Sequence, residues 1–253
     1  MLSSIQFETD TSLPGHGNAI LMYHQIDAAP AKGTPFRQLT TTPNNFYRQM
    51  IWLARIGYRG VSVRELAPYV KGERQGRVFG ITFDDGFQNV YRNALPILRQ
   101  FGFTATCFFV SGQVGGFNRW DAEIGVPYAP CMSRQEMLDW AAAGNEIGSH
   151  TVDHVHLTQA NPWIALNQIA GSRAQLEDMA GTAIVSFCYP YGDVSSDVRD
   201  IVRDAGYSFA TTTRKGRASS GDDPLLLPRR NVCLGDGWLT TLRKTILGRP
   251  VAS

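Results

Sequence analysis

Cysteine is scarce and scattered in this chain of 253 residues: Cys107, Cys131, Cys188 and Cys233 form no C-x-x-C pair. That excludes zinc-ribbon and thioredoxin-type motifs and points to reduced thiols used as small hydrophobes. An excess of charge is also missing, since 24 Lys and Arg face 22 Asp and Glu for a net of +2. The densest basic stretches, TTTRKGR and LPRRN, are short, so no nucleic-acid partner is expected. No apolar run approaches the ~20 residues of a membrane helix, so no transmembrane segment is expected. The opening MLSSIQFETDTSLPGHGN lacks a basic start followed by an apolar core. It reads as a leader over residues 1–17, not a secretory signal, and the expected location is cytoplasmic. Low-complexity segments, long linkers and internal sequence repeats are absent, and 18–253 reads as one domain.

What is present is an alternation. Five helix-periodic stretches end in glycine (Gly57, Gly102, Gly144, Gly181 and Gly206) and run directly into strand-like segments. A glycine there supplies the left-handed residue that finishes a helix. Helix starts agree: Ser62 with Glu65 and Ser133 with Glu136 fit capping boxes, and Asn161 with Pro162 fits a cap followed by a first helical proline. Strands are expected at 18–23, 58–63, 78–83, 104–110, 145–149, 184–189, 207–212 and 225–230. Strands alternating with helices imply parallel pairing, and seven or eight of them favour an α/β barrel. The closing stretch GDGWLTTLRKTILG reads as a short amphipathic helix packed on that barrel.

The strand-like runs end in polar residues. His24 follows AILMY, Asp84 and Asp85 follow VFGITF, and His150 and His154 follow NEIGS. Tyr191 and Asp193 follow IVSFCYP, and Arg229 and Arg230 close LLLPRR. In a parallel barrel these ends share one face, where active sites are built. Five histidines serve the whole chain, and His150, His154 and His156 fall within seven residues. Two imidazoles with a carboxylate are a common ligand set for catalytic zinc. Paired aspartates can divide their work, one binding a cation and the other taking a proton. His156 is expected to point elsewhere.

TFDDG, SHTVDH and FCYPYG occur in that order and together resemble the polysaccharide deacetylases of the NodB-homology type, carbohydrate esterase family 4. The resemblance spans AILMYHQI to LPRRNV and is similar to the exopolysaccharide (poly-N-acetylglucosamine) branch. It implies a distorted (β/α) barrel of about seven parallel strands and a metal-dependent N-deacetylase. The substrate would be a carbohydrate with N-acetyl groups, either a glycan or a glycan precursor. By the same resemblance Asp84 is the general base, and Asp85, His150 and His154 hold a divalent metal, zinc first, with cobalt or another ion as alternatives. Tyr191, after Pro190, offers its backbone N–H to the oxyanion.

Two departures stand out. Phe187 occupies the place of the family's base-orienting arginine, and no histidine follows His156 to serve as the usual acid. His24 is the candidate acid, His16 being set aside with the leader. Arg229 is the candidate replacement arginine, with Arg230 as competitor. Phe87, Tyr191 and Trp120 stand near strand ends where rings could stack on sugars, packing being preferred for Trp120. The Gly-rich stretch 110–130 is expected to shape the substrate cleft. Other readings are a metal amidase acting on a small or lipid-linked substrate and a glycan-binding barrel without catalysis.

Overall fold

A computed structural model describes residues 17–247. Residues 1–16, with His16 and nearly all of the leader, lie outside them. The elements in order are β1 (Ile20–Tyr23), β2 (Gln25–Ile26), β3 (Thr40–Thr41), α1 (Pro43–Arg55), β4 (Arg59–Val61), α2 (Val63–Val70), β5 (Val78–Phe83), α3 (Leu95–Phe101) and β6 (Thr106–Phe109). There follow α4 (Arg134–Ala142), β7 (Glu146–Ser149), α5 (Pro162–Ala180), β8 (Ser186–Cys188), α6 (Ser196–Asp204), β9 (Phe209–Lys215), β10 (Leu227–Asn231) and α7 (Trp238–Ile246). All eight strands expected from the sequence are present. All five helix-ending glycines have positive φ, between 62° and 87°.

The strands run side by side in the order β1-β10-β9-β8-β7-β6-β5-β4, and β1 also pairs with β5. β1, β5 to β10 therefore close a seven-stranded ring in which every pairing is parallel. The ring is uneven: β8 has three residues and meets β7 through one registered pair, Ser149 with Phe187.

β4 stands outside the ring because it shares an edge of β5 with β6. It pairs with Val78–Gly80, and β6 pairs with Thr82 and Phe83. It delivers α2 to the floor of the barrel. Val63 and Leu66 pack there with Ile20, Phe108 and Leu227, and a Cβ on Gly80 would meet Leu66 Cδ2 at 3.0 Å. The first N–H groups of α2 have no partner within the helix, and they point into the barrel. Val63 N–H donates to Thr106 Oγ1 (2.8 Å) and Arg64 N–H to Glu146 Oε2 (3.0 Å). Glu146 also accepts from Thr106 Oγ1 (2.6 Å) and Ser186 Oγ (2.7 Å). The floor is thus closed by a buried carboxylate with three neutral donors.

Successive strand residues alternate between the barrel interior and the helix-covered outside. The outer layer is the main core, with Tyr23, Phe46, Phe83 and Trp140 in edge-on or tilted aromatic contact. Ser133 and Glu136 form the expected capping box of α4. At α2 only half of it forms: Ser62 caps Glu65 N–H, but the Glu65 carboxylate instead binds Thr104 and Arg59. α7 packs as expected, with Trp238 stacked on Trp52 of α1 at 4.6 Å. The four cysteines are free. Among the described residues no helix is long and apolar enough to cross a membrane.

Candidate active site

The C-terminal ends of β1, β5, β7, β8 and β10 bring together the polar residues expected there. Asp84 and Asp85 leave β5 in a sharp turn: Asp85 has φ 75° and Gly86 φ 71°. Glycine is required at 86, since a Cβ would also meet Phe109 Cδ1 at 2.8 Å. Among the described residues, the non-glycine residues with positive φ are Phe36, Asp85, Thr151, His154 and Tyr191. Four of these five belong to the segments that form the site. Such conformations cost on the order of 1–3 kcal/mol each and persist where the surroundings enforce them.

The two neighbouring aspartates face different partners. Asp84 is buried, and Arg229 grips it bidentately, Nη1 to Oδ1 at 2.7 Å and Nη2 to Oδ2 at 2.8 Å. Arg229 donates its other three hydrogens to the Thr212 carbonyl (3.0 Å), Thr82 Oγ1 (3.0 Å) and Cys188 Sγ (3.1 Å). All five guanidinium hydrogens are therefore placed. Burial alone would raise the Asp84 carboxyl, but the charge and hydrogen bonds of Arg229, aided by His24 and His150, leave its pKa below the ordinary value. The structure thus brings Arg229, not Arg230, to Asp84. Arg229 lies inside β10 with its side chain in the barrel, not beyond the strand end. Phe187 is fully buried against Tyr189 and Tyr207.

Asp85 Oδ1 sits 3.4 Å from His150 Nε2 and 3.4 Å from His154 Nε2. It is buried and accepts no hydrogen bond. Burial opposes its charge, but the two imidazoles hold its pKa far below the ordinary range. His150 Nδ1 lies 2.8 Å from the Cys188 carbonyl, which only accepts, so Nδ1 carries the hydrogen and Nε2 faces Asp85. Burial would lower the His150 pKa, but its contacts with Cys188 and Asp85 raise it well above the ordinary value. Burial lowers that of His154.

Two groups of ligand atoms converge within 4.8 Å: Asp85, His150 and His154, and Asp84, His150 and Cys188. Arg229 decides between them. Its guanidinium occupies Asp84 and Cys188, whereas the first group holds an orphaned carboxylate oxygen between two ring nitrogens. That donor set of two imidazoles and one carboxylate fits a divalent ion such as zinc with a position left open.

His24 Nε2 stands 3.8 Å from Asp84 Oδ2, and its buried Nδ1 has no hydrogen-bond partner. Pro190 is buried and opens the turn that carries Tyr191. The Tyr191 ring meets His154 at 4.6 Å and stacks on His156 at 3.9 Å. Its hydroxyl is pushed up to about 12, first by burial, then by Asp121 and Asp85. His156 is absent from both groups of ligand atoms, and its Nδ1 lies 3.8 Å from Asp193 Oδ2. Asp193 is tied to the same loop by Thr158. Phe87, expected as a sugar platform, is buried at 3% exposure and cannot serve. Trp120 stacks on His154 at 4.9 Å, and Tyr191 remains 43% exposed.

Sequence reasoning missed two contributors. Cys188 sits in an apolar strand and looks like a small hydrophobe, yet its sulfur accepts from Arg229 and its carbonyl fixes His150. Asp121 belongs to no motif, and only the Gly-rich setting of its loop drew notice.

The family described as polysaccharide deacetylase matches residues 71–210. That span holds Asp84, Asp85, His150, His154 and Tyr191 but neither His24 nor Arg229. A Bacillus subtilis (strain 168) protein, YxkH, is 26% identical over 233 residues, 91% of this chain and 75% of its own. The poly-beta-1,6-N-acetyl-D-glucosamine N-deacetylase of Staphylococcus aureus (strain MRSA252) is 23% identical over 203 residues, 76% of this chain and 68% of its own. Among solved structures, IcaB from Ammonifex degensii matches with a TM-score of 0.76 at 26% identity, over 91% of this chain and 98% of that one. The Streptococcus pyogenes deacetylase PplD, in complex with acetate, matches with a TM-score of 0.79 at 24% identity, over 90% and 98% of the two chains, a likeness of fold.

Proposed function

Starting from the chain's membership of the polysaccharide deacetylase family, we propose that it is a metal-dependent hydrolase that removes N-acetyl groups from an amino-sugar glycan. The observation that carries this reading is the orphaned Asp85 Oδ1 between two imidazole nitrogens, beside an aspartate held by a buried arginine. The Staphylococcus aureus relative named for poly-β-1,6-N-acetylglucosamine supports a glucosamine polymer as the substrate class.

Asp85, His150 and His154 would hold the ion. A divalent ion held there would polarise the acetyl carbonyl and make water more acidic. Asp84 takes the proton of the attacking water. Arg229 keeps Asp84 ionised and aimed, so the base is ready without rearrangement. The backbone N–H of Tyr191 donates to the oxyanion of the tetrahedral intermediate, a contact worth roughly 3–4 kcal/mol in comparable sites. The carbon–nitrogen bond then breaks, His24 gives the nitrogen a proton, and acetate and a free amine result. His24 lies close enough to Asp84 for a proton to pass between them through one water.

The test is acetate release from a panel of N-acetylated oligosaccharides and small amides, using metal-stripped protein with and without added zinc. Zinc-restored release from the oligosaccharides is the expected result. Release without any ion, or only from small amides, would refute the reading.

A further inference from the structure

Asp121 belongs to neither ligand group. It lies between β6 and α4 on a short 3-10 turn, Arg119–Ile124. The segment around it is firmly built. Buried Asn118 donates to the Pro127 carbonyl (3.0 Å) and accepts from Ala129 N–H (2.8 Å). Met132 N–H donates to the Gly86 carbonyl and Gln88 N–H to the Pro130 carbonyl, both at 2.8 Å, which ties the segment to the Asp85 turn. Trp120 stacks on His154. Asp121 is the next residue after Trp120 in this segment, and it is only 8% exposed. Burial first, and the charge of Asp85 second, push its pKa up to about 6, against a hydrogen bond from Trp120.

Among the described residues no Lys, Arg or His forms an ion pair with Asp121. A buried carboxylate beside a second carboxylate is costly unless a cation is supplied. The proposed reaction makes one, because the primary amine it frees is protonated at neutral pH. Asp84 and Arg229 cancel each other's charge. Asp85 with a divalent ion leaves one positive charge, which would repel the new ammonium, and Asp121 brings the sum to zero.

We propose that Asp121 is the ammonium-recognising residue of this cleft, binding the 2-amino group of a glucosamine unit and not its acetylated form. Both the sugar and its ammonium rest on the proposed function.

The test is a calorimetric titration of the full chain, zinc-loaded and metal-stripped, with a β-1,6-linked glucosamine trisaccharide and with its N-acetylated counterpart. Asp121→Asn is expected to weaken binding of the amino form about tenfold, the loss of one charge-assisted hydrogen bond, and to change the acetylated form less than about twofold. Asp121→Glu restores part of the difference. In the wild type, raising the salt from about 50 to 500 mM erodes the preference for the amino form by screening. Equal losses for both sugars, unchanged affinity for the amino form, or a wild type without preference would each overturn the proposal. The titration reads binding alone, so failure to release acetate would count against the deacetylase reading and not against this one.

Discussion

The two ends of the barrel treat buried carboxylates in opposite ways. At the floor, Glu146 receives hydrogen bonds from Thr106, Ser186 and the first turn of α2. At the mouth, Asp84 is matched atom for atom by Arg229, but Asp85 Oδ1 is buried without a hydrogen bond. The chain completes the floor from its own donors. At the mouth it leaves Asp85 Oδ1 without a donor, in a place where several residues are held in left-handed backbone conformations. A buried polar group left unmatched costs roughly 1–3 kcal/mol. The difference agrees with the proposed roles, Glu146 in the architecture and Asp85 in holding an ion.

The largest expected effect falls on the matched pair at the mouth. Asp84→Asn should lower acetate release on the order of 100- to 10,000-fold, the scale of a general base. It should also lower stability by about 3–5 kcal/mol, because Arg229 is left charged and buried. Activity assays and urea unfolding check both, and a variant as stable as the wild type would break the account of Arg229.

The contrast between the ends is sharpened by the pair Asp85→Asn and Glu146→Ala. Asp85→Asn should weaken zinc binding more than about 100-fold. Glu146→Ala should leave zinc affinity intact while lowering stability on the order of 3 kcal/mol. Similar outcomes for the two variants, read by calorimetry and unfolding, would erase the distinction.

Acid should act on the mouth directly. The folded pKa values of Asp84 and Asp85 are both depressed. Their stabilisation is full above the unfolded carboxylate value of about 3.9 and is lost as pH falls towards the lower folded values. Stability between about pH 2 and 4 should therefore fall more steeply with acid for the wild type than for Asp84→Asn. The smallest effect is expected from His156→Ala, which removes the ring stacked on Tyr191. A loss of about 0.5–1.5 kcal/mol corresponds to a two- to tenfold fall in kcat/KM, with the melting temperature nearly unchanged.

Much of the mouth was legible before any coordinates. Helical period and terminal glycines located the strands, because chain reversal and burial leave local signals. Asp84, Asp85, His150 and His154 stood out because scarce residue types cluster just past strand ends. Phe87 was misjudged because a sequence does not say which side of a turn faces solvent. The half-formed capping box at Ser62 has a similar origin: Thr104 and Arg59 offered Glu65 partners that only the folded chain brings near.

By itself, then, the sequence determined the alternation of strands and helices, since that rests on local period and spacing, while the closed barrel and the ligand group came from the family resemblance of its motifs. Only the tertiary structure decided that Arg229 and not Arg230 reaches Asp84, across 145 residues of chain. It also decided that Cys188 joins them and that α2 plugs the floor. Those outcomes depend on which strand face turns inward and on how the ring closes.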